Sequence, residues 1–380
     1  MAAEILVIGG GVAGAAAAIE LARAGRQVVL LEREAGPHDK VCGEFLSREA
    51  ILYLRALGLD PGAMGARRIG RLRLAGGRRV AGVRLPFQGF SLSRRLLDAA
   101  LLDRAAALGV EVRTGAAAQG LTQAGSGFAA RLRDGEEITA AAAILATGKH
   151  DLRGHPRPPG LQPGLIGFKQ YWRLAPEQAS SLEGHVELML FAGGYAGLQL
   201  VEDGRANLCL LIKRERFAAL GHDWDALIAN MRSDCRLLDE RLRGAAPCGD
   251  RPLAVYAVPF GHIARGGDAV WRIGDQAAVI PSFSGDGMSI ALHSARLAAQ
   301  YLLAGRPAMD YQQHLARDIS WPLRLATGIS MAAISPAGRL LVGQGASRVP
   351  ALMAVVAAIT RVPSAALRRS GLEIEEERAI

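Results

Sequence analysis

The first 32 residues constrain this chain most. An apolar strand from Glu4 to Ile8 runs into Gly9-Gly10-Gly11-Val12-Ala13-Gly14, an alanine-rich helix follows, and a second strand, Gln27 to Leu31, closes on Glu32. This is G-x-G-x-x-G in the strand–turn–helix–strand context that holds a dinucleotide. Gly9 permits the tight turn off the strand, Gly11 lets the backbone approach a pyrophosphate, and Gly14 lets helix and strand pack closely. Val12 and Ala13 open the helix, whose N-terminus offers free N–H groups and the positive end of its dipole to phosphates. Glu32 stands where an acid accepts hydrogen bonds from a ribose, with Arg33 beside it in sequence. An acid there fits a free 2′-hydroxyl, which favours FAD or NAD over NADP.

The 380 residues suffice for two to three domain-sized units, and since half are hydrophobic a sizeable core is expected. The formal charge of +9 comes almost entirely from arginine, because Lys40, Lys149, Lys169 and Lys213 are the only lysines. The arginines are scattered and no aromatic-basic platform appears, so nucleic acid is not an expected partner. Cys42, Cys209, Cys235 and Cys248 form no C-x-x-C pair and no zinc spacing, and His150 and His155 have no third ligand at metal spacing. No metal is therefore predicted, and a reducing compartment is the simpler reading. The nucleotide-binding strand starts where a secretory signal would lie, so a cytoplasmic location is expected, with the oligomeric state open. The apolar stretch Val349 to Ile359 is too short to span a bilayer and reads as a buried helix, with peripheral membrane contact as the alternative.

Along the chain, Arg48 to Leu57 reads as a helix and Ile69 to Leu85 as a hairpin around Gly76-Gly77. Arg94 to Leu108 is again helical, and strands follow at Val110 to Val112 and Ala141 to Ala146. After a proline-rich connector, Pro156 to Pro163, strand-like runs recur at Leu165–Leu174, His185–Phe191, Tyr195–Val201 and Ala206–Ile212, and one helix falls between Trp224 and Leu242. The reading is an α/β protein in which an antiparallel β-sheet is inserted into a Rossmann-like nucleotide-binding domain. Residues 1–68, 92–154 and 264–310 would form the discontinuous cofactor domain, 69–91 and 155–263 the substrate-binding sheet domain, and 311–380 a C-terminal helical segment. The acidic run Glu373 to Glu377 reads as a solvated end.

A second motif lies near Trp271-Arg272-Ile273-Gly274-Asp275, followed by Pro281 and by Gly285-Asp286-Gly287-Met288. It resembles the flavin-closing motif of the para-hydroxybenzoate hydroxylase superfamily. The resemblance implies that Asp275 accepts from a ribitol hydroxyl, that the glycines let the backbone approach the flavin ring, and that the helix from Gly287 aims N–H groups at its pyrimidine edge. It recasts the N-terminal motif as the adenine half of an FAD site. Lys40-Val41-Cys42-Gly43-Glu44 with Leu46-Ser47, and Gly193-Gly194-Tyr195-Ala196, are similar to segments of the geranylgeranyl reductase-like branch. Arg94-Arg95-Leu96-Leu97-Asp98 resembles the family's Arg-x-x-x-Asp helix start, which implies Arg94 as a cationic donor near the cofactor. Cys42, Gly43, Thr147 and Gly148 complete the predicted cofactor-facing set. The chain departs from the family's Asp-Gly motif at Ala146-Thr147-Gly148-Lys149-His150, and the halogenases' tryptophan signature is missing at Val255-Tyr256-Ala257-Val258-Pro259.

These residues predict an FAD-dependent oxidoreductase, first as a monooxygenase that hydroxylates an aromatic or lipophilic small molecule, with NAD(P)H as electron donor and oxygen activated at the reduced flavin. The alternative is a flavin-dependent reductase of prenyl or lipid double bonds; halogenation ranks third. Cys42 is either a reactive thiolate or an inert small hydrophobe. Glu44 either orients substrate and relays a proton, or is a solvated charge or a contact to adenosine or ribose. Phe168, Tyr171, Trp172, Met189, Phe191 and Tyr195 form a candidate aromatic wall, although strand alternation should turn half of them away.

Overall fold

The computed structural model describes residues 2–373. The first strand, Ala2–Ile8, pairs in parallel with Val28–Glu32 and with Glu137–Leu145, Glu111–Thr114 forms one edge, Trp271–Arg272 lies beside Glu137–Leu145, and Gly127–Leu132 and Ala118–Ala124 continue the seven-stranded sheet antiparallel beyond it. Alternation divides its apolar side chains cleanly. Ile5 and Val7 face a core shared with the helices Val12–Arg23, Arg94–Ala107 and Gly287–Leu303, while Leu6 and Ile8 face Leu121, Phe128 and Leu132 of the antiparallel meander Ala118–Leu145.

The second sheet has eight strands, ordered Ala246–Tyr256, Leu165–Arg173, Ala206–Lys213, Gly194–Leu200, His185–Phe191, Arg67–Gly76, Arg79–Ser91 and Phe45–Leu46. It is not wholly antiparallel as expected, because His185–Phe191 pairs in parallel with Arg67–Gly76. A crossover of more than 100 residues lies between those strands, long enough for the parallel return that a tight turn cannot make. The strand Ala246–Tyr256 escaped the sequence reading, since Pro247, Gly249 and Pro252 disguise it; as an edge strand it tolerates them.

One face of this sheet packs Phe168, Trp172, Met189 and Phe191 against Phe217, Leu227, Ile228 and Met231 of the covering helices. The other presents Leu72, Leu74, Leu85 and Leu211 to Ala333, Ile334, Ala346 and Met353 of the C-terminal helices. The single helix expected between Trp224 and Leu242 is two, Trp224–Asp234 and Arg236–Arg241, broken at the extended Cys235. From residue 311 to Arg369 the chain is mostly helical as predicted, but Ala351–Ile359 is not a buried helix: Leu352, Val355 and Ile359, on one face at i, i+3 and i+7, are exposed and only Met353 is buried. Of the acidic run, Glu373 is exposed and the remainder, 374–377, lies outside the described residues.

Candidate active site

The glycine turn is built as the sequence demands. Gly9 has φ of 114°, outside the range of ordinary L side chains, and a Cβ on it would lie 2.3 Å from the Ala146 carbonyl oxygen. A Cβ on Gly14 would lie 1.9 Å from the Gly9 oxygen, so helix and turn touch backbone to backbone. Gly11 differs, since a Cβ there would meet only the Arg94 and Lys40 cations, at 3.4 and 3.7 Å. Open space at Gly11, bounded by two cations and by the uncapped N-terminus of Val12–Arg23, is a cradle for a pyrophosphate. At the far end of the neighbouring strand the buried Glu32 accepts from the Gly10 N–H at 2.9 Å and the Glu34 N–H at 3.0 Å, which fixes its carboxylate beside the turn.

Arg94 gives two donors to Asp98, at 2.8 and 2.9 Å, and Lys40 approaches the same carboxylate at 2.9 Å. Burial opposes the Arg94 charge, but Asp98, with the Cys42 sulfur adding to it, outweighs burial and holds the guanidinium above its ordinary value. Burial likewise opposes ionisation of Asp98, and the two cations overcome it, so the carboxyl is held below its usual range. The bidentate face of Arg94 is thus spent within the protein, and it meets a cofactor as an oriented positive charge.

A cavity of about 540 Å³ opens between the two sheets. Of the predicted cofactor residues it brings together Gly11, Val12, Ala13, Cys42, Gly43, Arg94, Gly148, Gly274, Asp275, Gly285, Gly287 and Met288. Gly9, Gly14 and Glu32 stand behind its wall. Thr147 and Pro281 do not line it, the Thr147 hydroxyl being donated to the His150 carbonyl at 2.6 Å, and Arg33 points outward to Glu34 at 3.1 Å. The helix Gly287–Leu303 begins at the cavity, and its N-terminus too is left without a side-chain cap, because Asp286 turns away to Ser47, Arg361 and the Val362 N–H. Arg157, which the sequence did not single out, ties the two cofactor loops by donating to the Asp275 and Lys149 carbonyls at 2.7 and 2.9 Å.

Glu44 is not a solvated charge, although it lies on the cavity lining. It is fully buried, with φ of 61°, and accepts from the Arg94 N–H at 2.8 Å, Lys169 at 2.5 Å, the Tyr171 hydroxyl at 2.8 Å and Asn207 at 2.9 Å. Burial raises its pKa above the ordinary carboxylate value, with Lys169 pulling the other way. The segment before it is pinned just as firmly, because the carbonyls of Val41, Cys42 and Gly43 accept in turn from Lys149, Asn207 (2.9 Å) and Gln199 (2.8 Å). Cys42 lines the cavity, its Sγ accepting from the Glu44 N–H at 3.3 Å. The composition held a signal for this network: in an arginine-rich chain, three of the four lysines, Lys40, Lys149 and Lys169, converge on this segment and its neighbour Asp98.

The predicted aromatic wall is not at the cavity. Phe168, Trp172, Met189 and Phe191 face the opposite core, the Tyr171 hydroxyl is engaged by Glu44, and Tyr195 bonds to Ser282 and the Phe283 N–H behind the lining. The lining on the second sheet is mostly aliphatic instead, from Leu72, Leu74, Leu85, Val186, Leu188, Leu211 and Val255, with Phe45 and Gln199 among them and Phe260 and Phe283 added from the loops.

Asp286 adds a pH dependence. Burial pushes its carboxyl from 3.8 up to about 7, against the pull of Arg361 and with Glu49 adding repulsion. A carboxyl raised on folding binds its proton more tightly in the folded state, so the stability it contributes is full below about pH 4 and lost as pH rises through about 7. The Tm of the protein relative to its Asp286→Asn variant is therefore expected to fall over that window; parallel Tm profiles for the two would refute it.

The geometry fits FAD: a pyrophosphate cradle, an acid for the adenine ribose, and a second uncapped helix facing the same cavity. An FAD binding domain family model matches residues 2–149. The chain is 30% identical to the menaquinone reductase of Mycolicibacterium smegmatis over 85% of this chain and 84% of that protein. It is also 30% identical to digeranylgeranylglycerophospholipid reductase 2 of Methanopyrus kandleri, over 78% and 76%. Among solved structures the flavin-dependent brominase Bmp2 superposes with a TM-score of 0.74 over 95% of this chain and 93% of that one, at 20% identity, a likeness of fold. The glycine turn, the closing motif and a likeness to the reductases over more than three quarters of each chain agree: this chain belongs to the FAD-dependent oxidoreductases of the para-hydroxybenzoate hydroxylase superfamily, in the geranylgeranyl reductase-like branch.

Proposed function

We propose that this chain is a flavin-dependent reductase that saturates a carbon–carbon double bond in an isoprenoid lipid chain. The observation that carries this reading over hydroxylation is the cavity wall. Leu72, Leu74, Leu85, Val186, Leu188, Leu211 and Val255 outnumber the phenylalanines that share the lining, Phe45, Phe260 and Phe283, and a wall dominated by branched aliphatic side chains suits a flexible hydrocarbon along its length better than a ring held by aromatic contacts. Of the aromatic residues predicted to supply such contacts, Phe168, Trp172 and Phe191 lie on the far face of the sheet, and the hydroxyls of Tyr171 and Tyr195 are engaged by Glu44 and by Ser282. The substrates in the names of the two relatives, menaquinone and a digeranylgeranyl phospholipid, both carry isoprenoid chains, which supports the reading further.

FAD, when bound and reduced by an external donor, proposed to be a nicotinamide nucleotide, supplies a hydride to one alkene carbon. The protein positions and protects. Lys40, Arg94 and the Val12 helix N-terminus would hold the phosphates, the Gly287 helix N-terminus would serve the flavin end, and the largely aliphatic wall excludes water. The second alkene carbon takes a proton as the π bond gives way to two C–H bonds, and Cys42 Sγ, on the cavity wall, is assigned to supply it.

The test is anaerobic. Pre-reduced protein mixed with a lipid alkene should yield the product two hydrogens heavier, by mass spectrometry, without oxygen, and Cys42→Ala should slow that step by about 100-fold, the lower range for a positioned acid. A product that forms only in air and carries an added oxygen would make the chain a hydroxylase. An unchanged rate in Cys42→Ala would remove the proton assignment alone.

A further inference from the structure

We propose that the helices Pro336–Arg348 and Ala351–Ile359 form a docking surface for an anionic lipid bilayer, onto which the cavity opens. Leu341 and Leu352, one on each helix, both line the cavity and yet are 70% and 51% exposed, so they sit at its mouth. Around that mouth Leu340, Val349, Val355 and Ile359 are exposed as well. An apolar rim on an apolar cavity is the arrangement that lets a hydrocarbon chain pass from a bilayer without crossing water.

Charge selects the occupant. From Ile319 to Leu372 the sequence contains no aspartate or glutamate and six arginines. Arg324, Arg348 and Arg368 are exposed, while Arg369 pairs with Asp318 at 2.5 Å and Arg339 with Asp234 at 3.6 Å. Two copies of this chain meeting through the same face would set Arg324, Arg348 and Arg368 against their own copies, whereas phosphate head groups neutralise them. The surface lies on a membrane and does not cross it. Ala351–Arg369 is apolar and long enough by composition to span, at 19 residues and a mean hydropathy of 1.4. Its middle, however, is bolted to the protein: Arg361 pairs with Asp286 at 3.4 Å and lies over the Phe87 ring at 4.1 Å, and the Val362 N–H donates to Asp286 at 2.9 Å. Only the outer face is free to enter lipid, to the depth of an interfacial helix.

The proposal rests on the lipid-chain reading for the reason a mouth should open here, and its test needs no turnover. FAD-loaded protein is sedimented with vesicles of phosphatidylcholine alone or doped with phosphatidylglycerol. Binding is expected to be at least about tenfold stronger on the anionic vesicles and to fall steeply with salt. The variant Leu340→Asn/Val349→Asn/Val355→Asn, none of whose positions lines the cavity, should lose about tenfold in vesicle affinity while keeping its flavin and its turnover of a detergent-dispersed alkene. Arg324→Glu/Arg348→Glu should abolish the preference for anionic lipid. Equal binding by wild type and the triple variant would overturn the proposal, and so would a stable dimer that the triple variant dissociates or an absence of vesicle binding. Vesicle binding without alkene turnover would leave this surface standing and overturn the reductase reading instead.

Discussion

Gly14→Val is expected to yield protein that purifies without flavin, with FAD affinity reduced by at least about 100-fold, close to 3 kcal/mol. The first atom of any side chain at this position falls 1.9 Å from the Gly9 oxygen, well inside van der Waals contact. The turn cannot retreat, because the Gly9 Cα is already set so close to Ala146 that a Cβ there would touch its carbonyl oxygen. The helix must therefore lift off the strand, carrying its N-terminal N–H groups away from the phosphates. Gly11→Ala is the informative contrast. Its Cβ meets nothing nearer than 3.4 Å, so the Tm of the flavin-free protein should hold while FAD affinity drops, as the methyl occupies space reserved for the pyrophosphate. Flavin fluorescence titration with thermal melting separates the two effects, and wild-type affinity in Gly14→Val would dismiss the cradle.

The second large effect belongs to Lys169. Replacing it with methionine leaves Glu44 fully buried without a cation, and stranding one member of a buried pair is expected to cost about 3–5 kcal/mol in urea unfolding. Tyr171 and Asn207 still donate to the carboxylate, but neither neutralises it. Adding Glu44→Gln to Lys169→Met removes the orphaned charge and should recover most of the loss. A double variant no more stable than the single one would show that the lysine acts through packing and not through charge.

Local patterning made the cofactor half legible. Gly9, Gly14 and Glu32 announce their roles because a turn, a close approach and a strand end are decided within 25 residues of chain, and the closing motif at Gly274 is similarly self-contained. The chamber half was less so. Alternation shows that Phe168 and Leu211 stand on opposite faces of a sheet, but not which face lines the cavity, since that depends on elements such as Ala333 and Met353 that return more than 100 residues later. Glu44 has the same difficulty. Its partners Lys169, Tyr171 and Asn207 are 125 to 163 residues away, so a residue that reads as a lone charge near a cofactor becomes the centre of a buried network only once the sheets are assembled. Val349 to Ile359 misled in the opposite direction: its apolar composition signals burial, but the structure uses part of it at an open rim.

The order in which the chain visits its two sheets has a consequence for engineering and for evolution. It lays down Ala2–Glu32 in the first, Phe45–Ser91 in the second, Glu111–Leu145 in the first, Leu165–Tyr256 in the second, and Trp271–Arg272 back in the first. Four crossings, laced by side chains of the second sheet that grip the backbone of Cys42 and Gly43, leave no contiguous piece that can be cut out as a free-standing module. A new substrate chamber cannot be acquired by exchanging one segment for another. Change in this architecture must proceed by substitution within the wall, residue by residue, with the grip on the cofactor loop kept throughout.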